Sequence, residues 1–209
     1  MNISEHAILT TDGGSDGRER GAAAAILSER SLGRCWKVTA FIGGATGNEA
    51  ELCGAILGFC LYRYFSECVL PSLPSGSASP VHWETDSQYL LRTSEGLGCS
   101  SSLDSIPNAG LWRAFLDLKP AGLVSQIHVP AHAGHGRNER CDSACRWIQQ
   151  KGAQLLAQVG SGPIGRNAVT APRDAWVLVD WRDLLTACRS RTRPNYQLLL
   201  ESLRATLVP

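Results

Sequence analysis

The sequence predicts an α/β domain, a mixed β-sheet with helices packed against it. Three observations carry this expectation. Three strand-like segments follow one another up to residue 42, separated by turn-rich stretches. Over residues 47–65 the apolar residues then recur every three to four positions, the period of a helix. Strand and helix alternate after that. Consecutive strands favour an antiparallel meander, and strands separated by helices favour parallel additions through crossovers.

Taken in order, residues 7–12 (Ala-Ile-Leu-Thr-Thr-Asp) read as a short strand ending at Asp12, with Gly13 and Gly14 allowing a tight turn. Residues 21–28 are alanine-rich, which suits a helix by propensity and a second strand by position between two turn-rich segments. Residues 34–42 mix aromatic and β-branched side chains, as a strand does. Ala50, Cys53, Leu57, Leu61 and Tyr64 mark one face of a long amphipathic helix, with Asn48 as its expected cap. Residues 71–80 are a loop by composition, and Val81–Asp86 is a fourth strand that leads into a helix from Ser87. After a Gly/Ser-rich stretch over 96–110 come a helix bearing Leu111, Trp112, Phe115 and Leu116, and a fifth strand over Leu123–Pro130. A final long helix is expected from about Asn138 to about Gln158. Residues 159–174 read as a linker, 175–181 as a strand or an apolar tether, and Tyr196, Leu199, Leu203 and Leu207 as one face of a terminal helix. The expected organisation is one domain over 1–158 and an extension over 159–209.

Composition sets bounds. The apolar share of 44% is ordinary for a globular chain. No uninterrupted apolar run approaches the ~20 residues that span a bilayer. The first residues carry neither a basic start nor an apolar stretch, so no secretory signal and a cytoplasmic location are expected. Eight cysteines, several within apolar periodic segments, read as buried free thiols. The net charge of +1 hides an asymmetry: residues 1–110 carry 7 basic and 12 acidic side chains, a balance of −5, and residues 111–209 carry 13 and 7, a balance of +6. The basic half can supply phosphate contacts, although charge imbalance usually marks no more than a solvated face.

Four acids are the candidate functional groups: Asp12 in Thr-Asp-Gly-Gly-Ser, Glu51 in Thr-Gly-Asn-Glu-Ala-Glu-Leu, Asp86 in Thr-Asp-Ser-Gln-Tyr, and Asp142 at the end of His-Ala-Gly-His-Gly-Arg-Asn-Glu-Arg-Cys-Asp. Each alone has a plain reading: a turn residue, a solvated helix charge, a helix cap, and a complement to a helix dipole. Context changes this. Asp12 and Asp86 both end predicted strands, Glu51 lies in the first turn of the first long helix and Asp142 opens the last. Carboxylates brought so close repel and raise one another's pKa unless a cation neutralises them. His132, His135, Cys141 and Cys145 have the ligand types of a zinc set, but this reading ranks far lower, because Cys145 fits the core as well as a metal.

Asp12-Gly, Thr46-x-Asn48-x-x-Glu51-Leu, Thr85-Asp86-Ser87-Gln88-Tyr89, Leu111-Trp112 and His132-Ala-Gly-His135-x-x-Asn138-Glu139-Arg140-Cys141-Asp142 together resemble type-I ribonuclease H, over about residues 6–158. The resemblance implies a five-stranded sheet, three antiparallel strands followed by parallel additions, and hydrolysis of the RNA strand of an RNA–DNA hybrid to leave 5′-phosphate and 3′-hydroxyl ends. It implies two Mg²⁺ ions, with Mn²⁺ able to substitute, ~4 Å apart. Asp12 would bridge both, Asp142 would serve the water-activating ion, and Glu51 and Asp86 the other. His132 would assist proton transfer or product departure. Backbone near Gly13, Gly14 and Ser15, together with Glu51, would sense the 2′-hydroxyl; Thr46, Asn48, Gln88 and Asn138 complete the implied substrate contacts.

The chain also departs from that family. The stretch after Asp12 reads Ser-Asp-Gly-Arg-Glu-Arg-Gly, Gly47 and Gly110 replace an Asn and an acidic residue often found there, and between Asp86 and Trp112 only Arg92 stands where some members carry a basic protrusion. The changed loop after Asp12 and Gly47 fall where the resemblance implies a phosphate pocket, and Arg18 or Arg20 can compensate there. Weak intrinsic hybrid affinity is the consequence expected. Residues 159–209 have no counterpart; Arg182, Arg189, Arg191 and Arg193 can grip substrate, the segment can dock a protein partner, or it can pack back on the core. A nuclease of the same fold acting on other RNA or DNA, and a non-catalytic nucleic-acid or partner-binding module, are the competing functions. Oligomeric state is not legible in the sequence.

Overall fold

The computed structural model of the chain describes residues 7–17, 19–29, 32–69, 80–97, 103–159, 168–171 and 174–190. The expected terminal helix and Cys99 lie outside them. Strands β1 (Ala7–Ser15), β2 (Gly21–Glu29) and β3 (Arg34–Gly43) form the antiparallel meander. β4 (Val81–Thr85) runs parallel to β1 and β5 (Leu123–His128) parallel to β4. Two further strands extend the other side. β7 (Asp174–Asp180) runs parallel to β3, and β6 (Ala168–Ala171) pairs antiparallel with β7. The order is β5-β4-β1-β2-β3-β7-β6.

The helices are α1 (Gly47–Tyr64), continued by a π-helical turn at Phe65–Val69, α2 (Gln88–Gly96), α3 (Ala109–Leu118), α4 (Gly136–Val159) and α5 (Arg182–Arg189). One core lies between the sheet and α1 with α3. Leu9, Ala23, Ala25, Leu27 and Val38 meet Cys53, Leu57, Phe59, Trp112 and Phe115 there. Phe59, Trp83 and Phe115 stack at centroid distances of 5.0–5.6 Å, and the Trp83 indole donates to Thr11 Oγ1 at 2.8 Å, so this aromatic centre leaves no polar atom of Trp83 unsatisfied. The second core lies on the other face. Ala22, Ala24 and Ile26 meet Cys141, Ala144, Cys145 and Ile148 of α4. The alanine run is therefore a strand whose small side chains let a helix approach from each side, and packing overrides its helix propensity.

Several expectations change. β1 does not end at Asp12: Gly13, Gly14 and Ser15 pair with Ala23, Ala22 and Gly21 of β2. Gly13 is required by contact rather than by a turn, because a Cβ there would lie 2.1 Å from the carbonyl carbon and oxygen of Ala50. The cap of α1 is Thr46, not Asn48. Thr46 Oγ1 accepts from Glu49 N–H at 3.3 Å and Glu49 Oε2 accepts from Thr46 N–H at 2.8 Å, a capping box. Residues 159–174 are not linker throughout, since β6 falls within them, and residues 175–181 are strand rather than tether as far as Asp180.

The 47–69 stretch is long and apolar enough to cross a membrane by length and composition, and 72% of its most apolar window is buried. Its hydropathy is accounted for by contact with the sheet and α3. α5 packs on α3 at Gly110, where an added Cβ would lie 1.9 Å from Cys188 O. The missing acidic side chain before Leu111 thus coincides with the place where α5 comes closest. Cys53, Cys60, Cys141, Cys145 and Cys188 are buried free thiols, Cys68 is half-buried and Cys35 is exposed.

Candidate metal centre

Register brings the first two acids together. Thr10 lies opposite Glu84 in the parallel β1–β4 pair, so Asp12 and Asp86, each two residues further on, emerge side by side on one face where that pairing ends. Glu51 reaches them from the second turn of α1 rather than the first, and the α1 backbone touches Gly13. The result is a cluster in which one carboxylate oxygen each of Asp12, Glu51 and Asp86 lies within 4.8 Å of the others. Asp142 sits in the second turn of α4 rather than at its start, outside that group but close enough for its charge to bear on Asp12. Its carboxylate is ion-paired with Arg146 one turn on, and His132 Nδ1 lies 4.0 Å from Asp142 Oδ2.

The electrostatics are those of acids held together against their charge. Burial pushes the Asp12 carboxyl up to about 7, with Asp86 and Asp142 adding to the rise; the Gly13 N–H, which donates to Asp12 Oδ1 at 2.8 Å, and Arg146 oppose it. Burial pushes Glu51 further, to about 9, with Asp12 and Asp86 contributing. Glu51 Oε2 is buried without a hydrogen-bond partner. A buried acceptor with no donor, beside two more carboxylates, fits a hard divalent cation: such ions take oxygen ligands and supply the missing positive charge.

The other expected site residues fall into four groups. Asn138 is buried, 3% exposed, and its Nδ2 donates to Asp86 Oδ2 at 2.9 Å, so it orients a carboxylate rather than facing solvent. Thr46 and Ser15 are engaged within the chain, Thr46 in the capping box and Ser15 Oγ with Ala45 O. Asn48 and Gln88 are exposed, Gln88 accepting from Arg92 at 2.9 Å. His132 is 70% exposed and adopts a left-handed φ of 54° in the loop before α4.

The zinc set does not assemble. His132 and His135 face solvent, while the thiols of Cys141 and Cys145 are buried against Thr10 O and Asp12 O, each at 3.7 Å.

Two residues outside the expected set, Arg146 and Glu49, matter here, and two of the expected cations take other roles. Arg146 holds Asp142, and its i,i+4 spacing was a readable signal. Glu49 was readable as the fourth member of Thr46-x-x-Glu49. Arg189 donates to Glu49 Oε1 and Oε2 and to Gly44 O, each at 2.8 Å, tying α5 to the start of α1. Arg182 is occupied by Asp180, and Arg18, Arg191 and Arg193 lie outside the described residues. Two of the cations expected to grip substrate are thus engaged internally.

A sequence model described as RNase H matches residues 4–149. The chain is 31% identical over 122 residues to "Ribonuclease H" of Syntrophotalea carbinolica, covering 54% of this chain and 71% of that protein. It is 34% identical over 55 residues to "Ribonuclease H" of Helicobacter pylori, covering 26% of this chain. That match spans 38% of the Helicobacter protein's length, little more than a third. Among solved structures, LC11-RNase H1 in complex with RNA/DNA hybrid superposes with a TM-score of 0.54 at 18% identity, over 70% of this chain and 99% of that one, a likeness of fold.

Proposed function

The chain belongs to the RNase H family, and from that premise we propose that it is a divalent-cation-dependent endoribonuclease cutting the RNA strand of RNA–DNA hybrids. The observation that carries the reading is the convergence of Asp12, Glu51 and Asp86 within 4.8 Å, with Asp142 close enough for its charge to bear on Asp12. A binding module has no need of three mutually repelling carboxylates, two of them held far above their ordinary pKa.

Asp12, Glu51, Asp86 and Asp142 would hold two Mg²⁺ ions, which Mn²⁺ could replace, since the donors are all oxygen. When bound, such ions activate a water and stabilise the leaving oxygen of the phosphodiester. The chain's own residues do the rest. Asn138 fixes the rotamer of Asp86 through its 2.9 Å hydrogen bond. Arg146 pairs with both oxygens of Asp142, a contact that a cation bound there would have to share or replace. His132, exposed and 4.0 Å from Asp142, is placed to carry a proton between the site and solvent. The backbone of Gly13, Gly14 and Ser15, with Glu51, would read the 2′-hydroxyl, and Asn48 and Gln88 would touch the groove. Cleavage would leave a 5′-phosphate and a 3′-hydroxyl. Residues 1–158 form the catalytic unit in this reading, 159–209 an extension whose β7 and α5 buttress it, and the protein works in the cytoplasm without a membrane.

The test is cleavage of matched hybrid, RNA duplex and DNA duplex, each with Mg²⁺ or EDTA, by wild type and Asp86→Asn. Metal-dependent cleavage of the hybrid by wild type alone is expected. Cleavage of RNA or DNA duplex but not hybrid would assign another substrate, and no metal-dependent cleavage at all would leave a binding module.

A further inference from the structure

One half-buried ion pair is not used by the mechanism above. Glu84 of β4 and Arg137, the second residue of α4, form a bidentate contact: Arg137 Nη2 donates to Glu84 Oε1 at 2.8 Å and to Oε2 at 3.0 Å, and Nε donates to Oε2 at 3.2 Å. Thr10 of β1 closes the group. Its hydroxyl donates to Glu84 Oε2 at 2.8 Å and accepts from Arg137 Nε at 3.2 Å. Only 13% of the Glu84 side chain and 32% of the Arg137 side chain are exposed.

The placement is what matters. Glu84 and Thr10 stand opposite each other, one pleat before Asp86 and Asp12 on the same face of the sheet. Arg137 immediately precedes Asn138, which holds Asp86. One turn further along α4, the Cys141 thiol meets Thr10 O. The start of α4 is therefore pinned to both strands that carry Asp12 and Asp86, one step below those acids.

We propose that Glu84, Arg137 and Thr10 form a positioning clamp that sets the register of α4 on β1 and β4, so that Asn138 meets Asp86 and Asp142 lies near the carboxylate cluster. The clamp also occupies Glu84. Arg137 donates to both Glu84 oxygens, so the charge of this acid two residues from Asp86 is balanced within the clamp. Neither residue touches substrate; both act through Asn138 and the helix start. The inference rests on the reading of the acids as a metal site.

The experiment measures Mg²⁺ binding by calorimetry in the full chain without substrate, and kcat and KM on the hybrid, for Arg137→Met, Glu84→Gln, Asn138→Ala, the double Arg137→Met/Asn138→Ala, and the swap Glu84→Arg/Arg137→Glu. Partners that orient metal ligands typically change affinity or activity by about 10–100-fold. Arg137→Met is expected to weaken Mg²⁺ binding and lower kcat by about tenfold, with KM within about twofold. The double variant should be little worse than Arg137→Met alone, because the Asn138–Asp86 contact is already lost when the clamp is broken, and the swap should recover part of kcat and of Mg²⁺ affinity. A lower melting temperature with unchanged Mg²⁺ affinity and kcat would overturn the proposal, as would multiplying losses in the double variant. If Arg137→Met does not fold, Glu84→Gln, which keeps the shape of the side chain, carries the same measurement. A wild type that binds Mg²⁺ but does not cut hybrid would sink the proposed function while leaving the clamp readable by calorimetry.

Discussion

Replacing Asp12 by Asn should make the metal-free protein more stable at alkaline pH. Burial and neighbouring acids raise the Asp12 carboxyl from 3.8 to about 7. A carboxyl raised on folding binds its proton more tightly in the folded state. Its contribution is fully favourable only below the unfolded value and is lost as pH rises through about 7. A rise of roughly 3 units at about 1.4 kcal/mol each places a ceiling of ~4 kcal/mol on the cost of ionised Asp12 at pH 8. Asn avoids that charge and can still accept the 2.8 Å hydrogen bond from Gly13 N–H. Asp12→Asn is thus expected to gain about 2–4 kcal/mol at pH 8 in EDTA, roughly 5–15 °C for a chain of this size. The gain should shrink to about 1–2 kcal/mol at pH 5, where the folded wild type keeps its proton. Mg²⁺ at about 1,000 times its Kd should cancel or reverse the order, because it stabilises the wild type by about 4.1 kcal/mol. The assay is thermal unfolding of both proteins at pH 5 and pH 8, with EDTA or Mg²⁺. A variant no more stable than wild type at pH 8 in EDTA, together with equal Mg²⁺ shifts, would refute the reasoning.

Mg²⁺ binding at pH 7.5 should release about one proton, chiefly from Glu51, held up to about 9. Calorimetry in buffers of different ionisation enthalpy reads this directly, and a binding heat independent of buffer would count against it. Arg189→Ala strips the bidentate partner from Glu49, which is 6% exposed, and should cost about 1–3 kcal/mol in chemical denaturation; a change below about 0.5 kcal/mol would mean the contact carries no weight. Gly110→Asp should dislodge α5, because its Cβ would meet Cys188 O. Hydrogen exchange over residues 182–189 would rise, and unchanged protection there would show that α3 and α5 are not in contact.

The parts of the fold that were legible are those written in local pattern. The helical period over 47–65 announced α1, and the β-branched run over 34–42 announced β3. The alanine run of β2 was ambiguous because its strand identity comes from helices on both faces, a tertiary fact. Gly13 and Gly14 read as a turn because glycine in a strand is uncommon; the close approach of α1 that demands Gly13 involves residues 37 positions away. β6 was hidden in a Gly- and Pro-interrupted stretch, since a four-residue edge strand leaves little periodic signal. The acids were legible as a motif set, and the structure brings three of them into one cluster while leaving Asp142 outside it. The hydrogen bond from Asn138 to Asp86 is invisible in the sequence, because the two lie 52 positions apart. The Glu84–Arg137 and Glu49–Arg189 pairs left no pattern, because their partners are 53 and 140 positions apart; only Glu49's capping role was visible locally.

The account stands on the carboxylates holding a divalent cation, and crystals grown with Mn²⁺ test this most directly through anomalous scattering. Manganese peaks among Asp12, Glu51 and Asp86, with carboxylate oxygens at about 2.1 Å and no such peaks in Asp12→Asn, are the predicted result. An empty cluster in saturating Mn²⁺, or manganese bound instead beside His132 and His135, would contradict it.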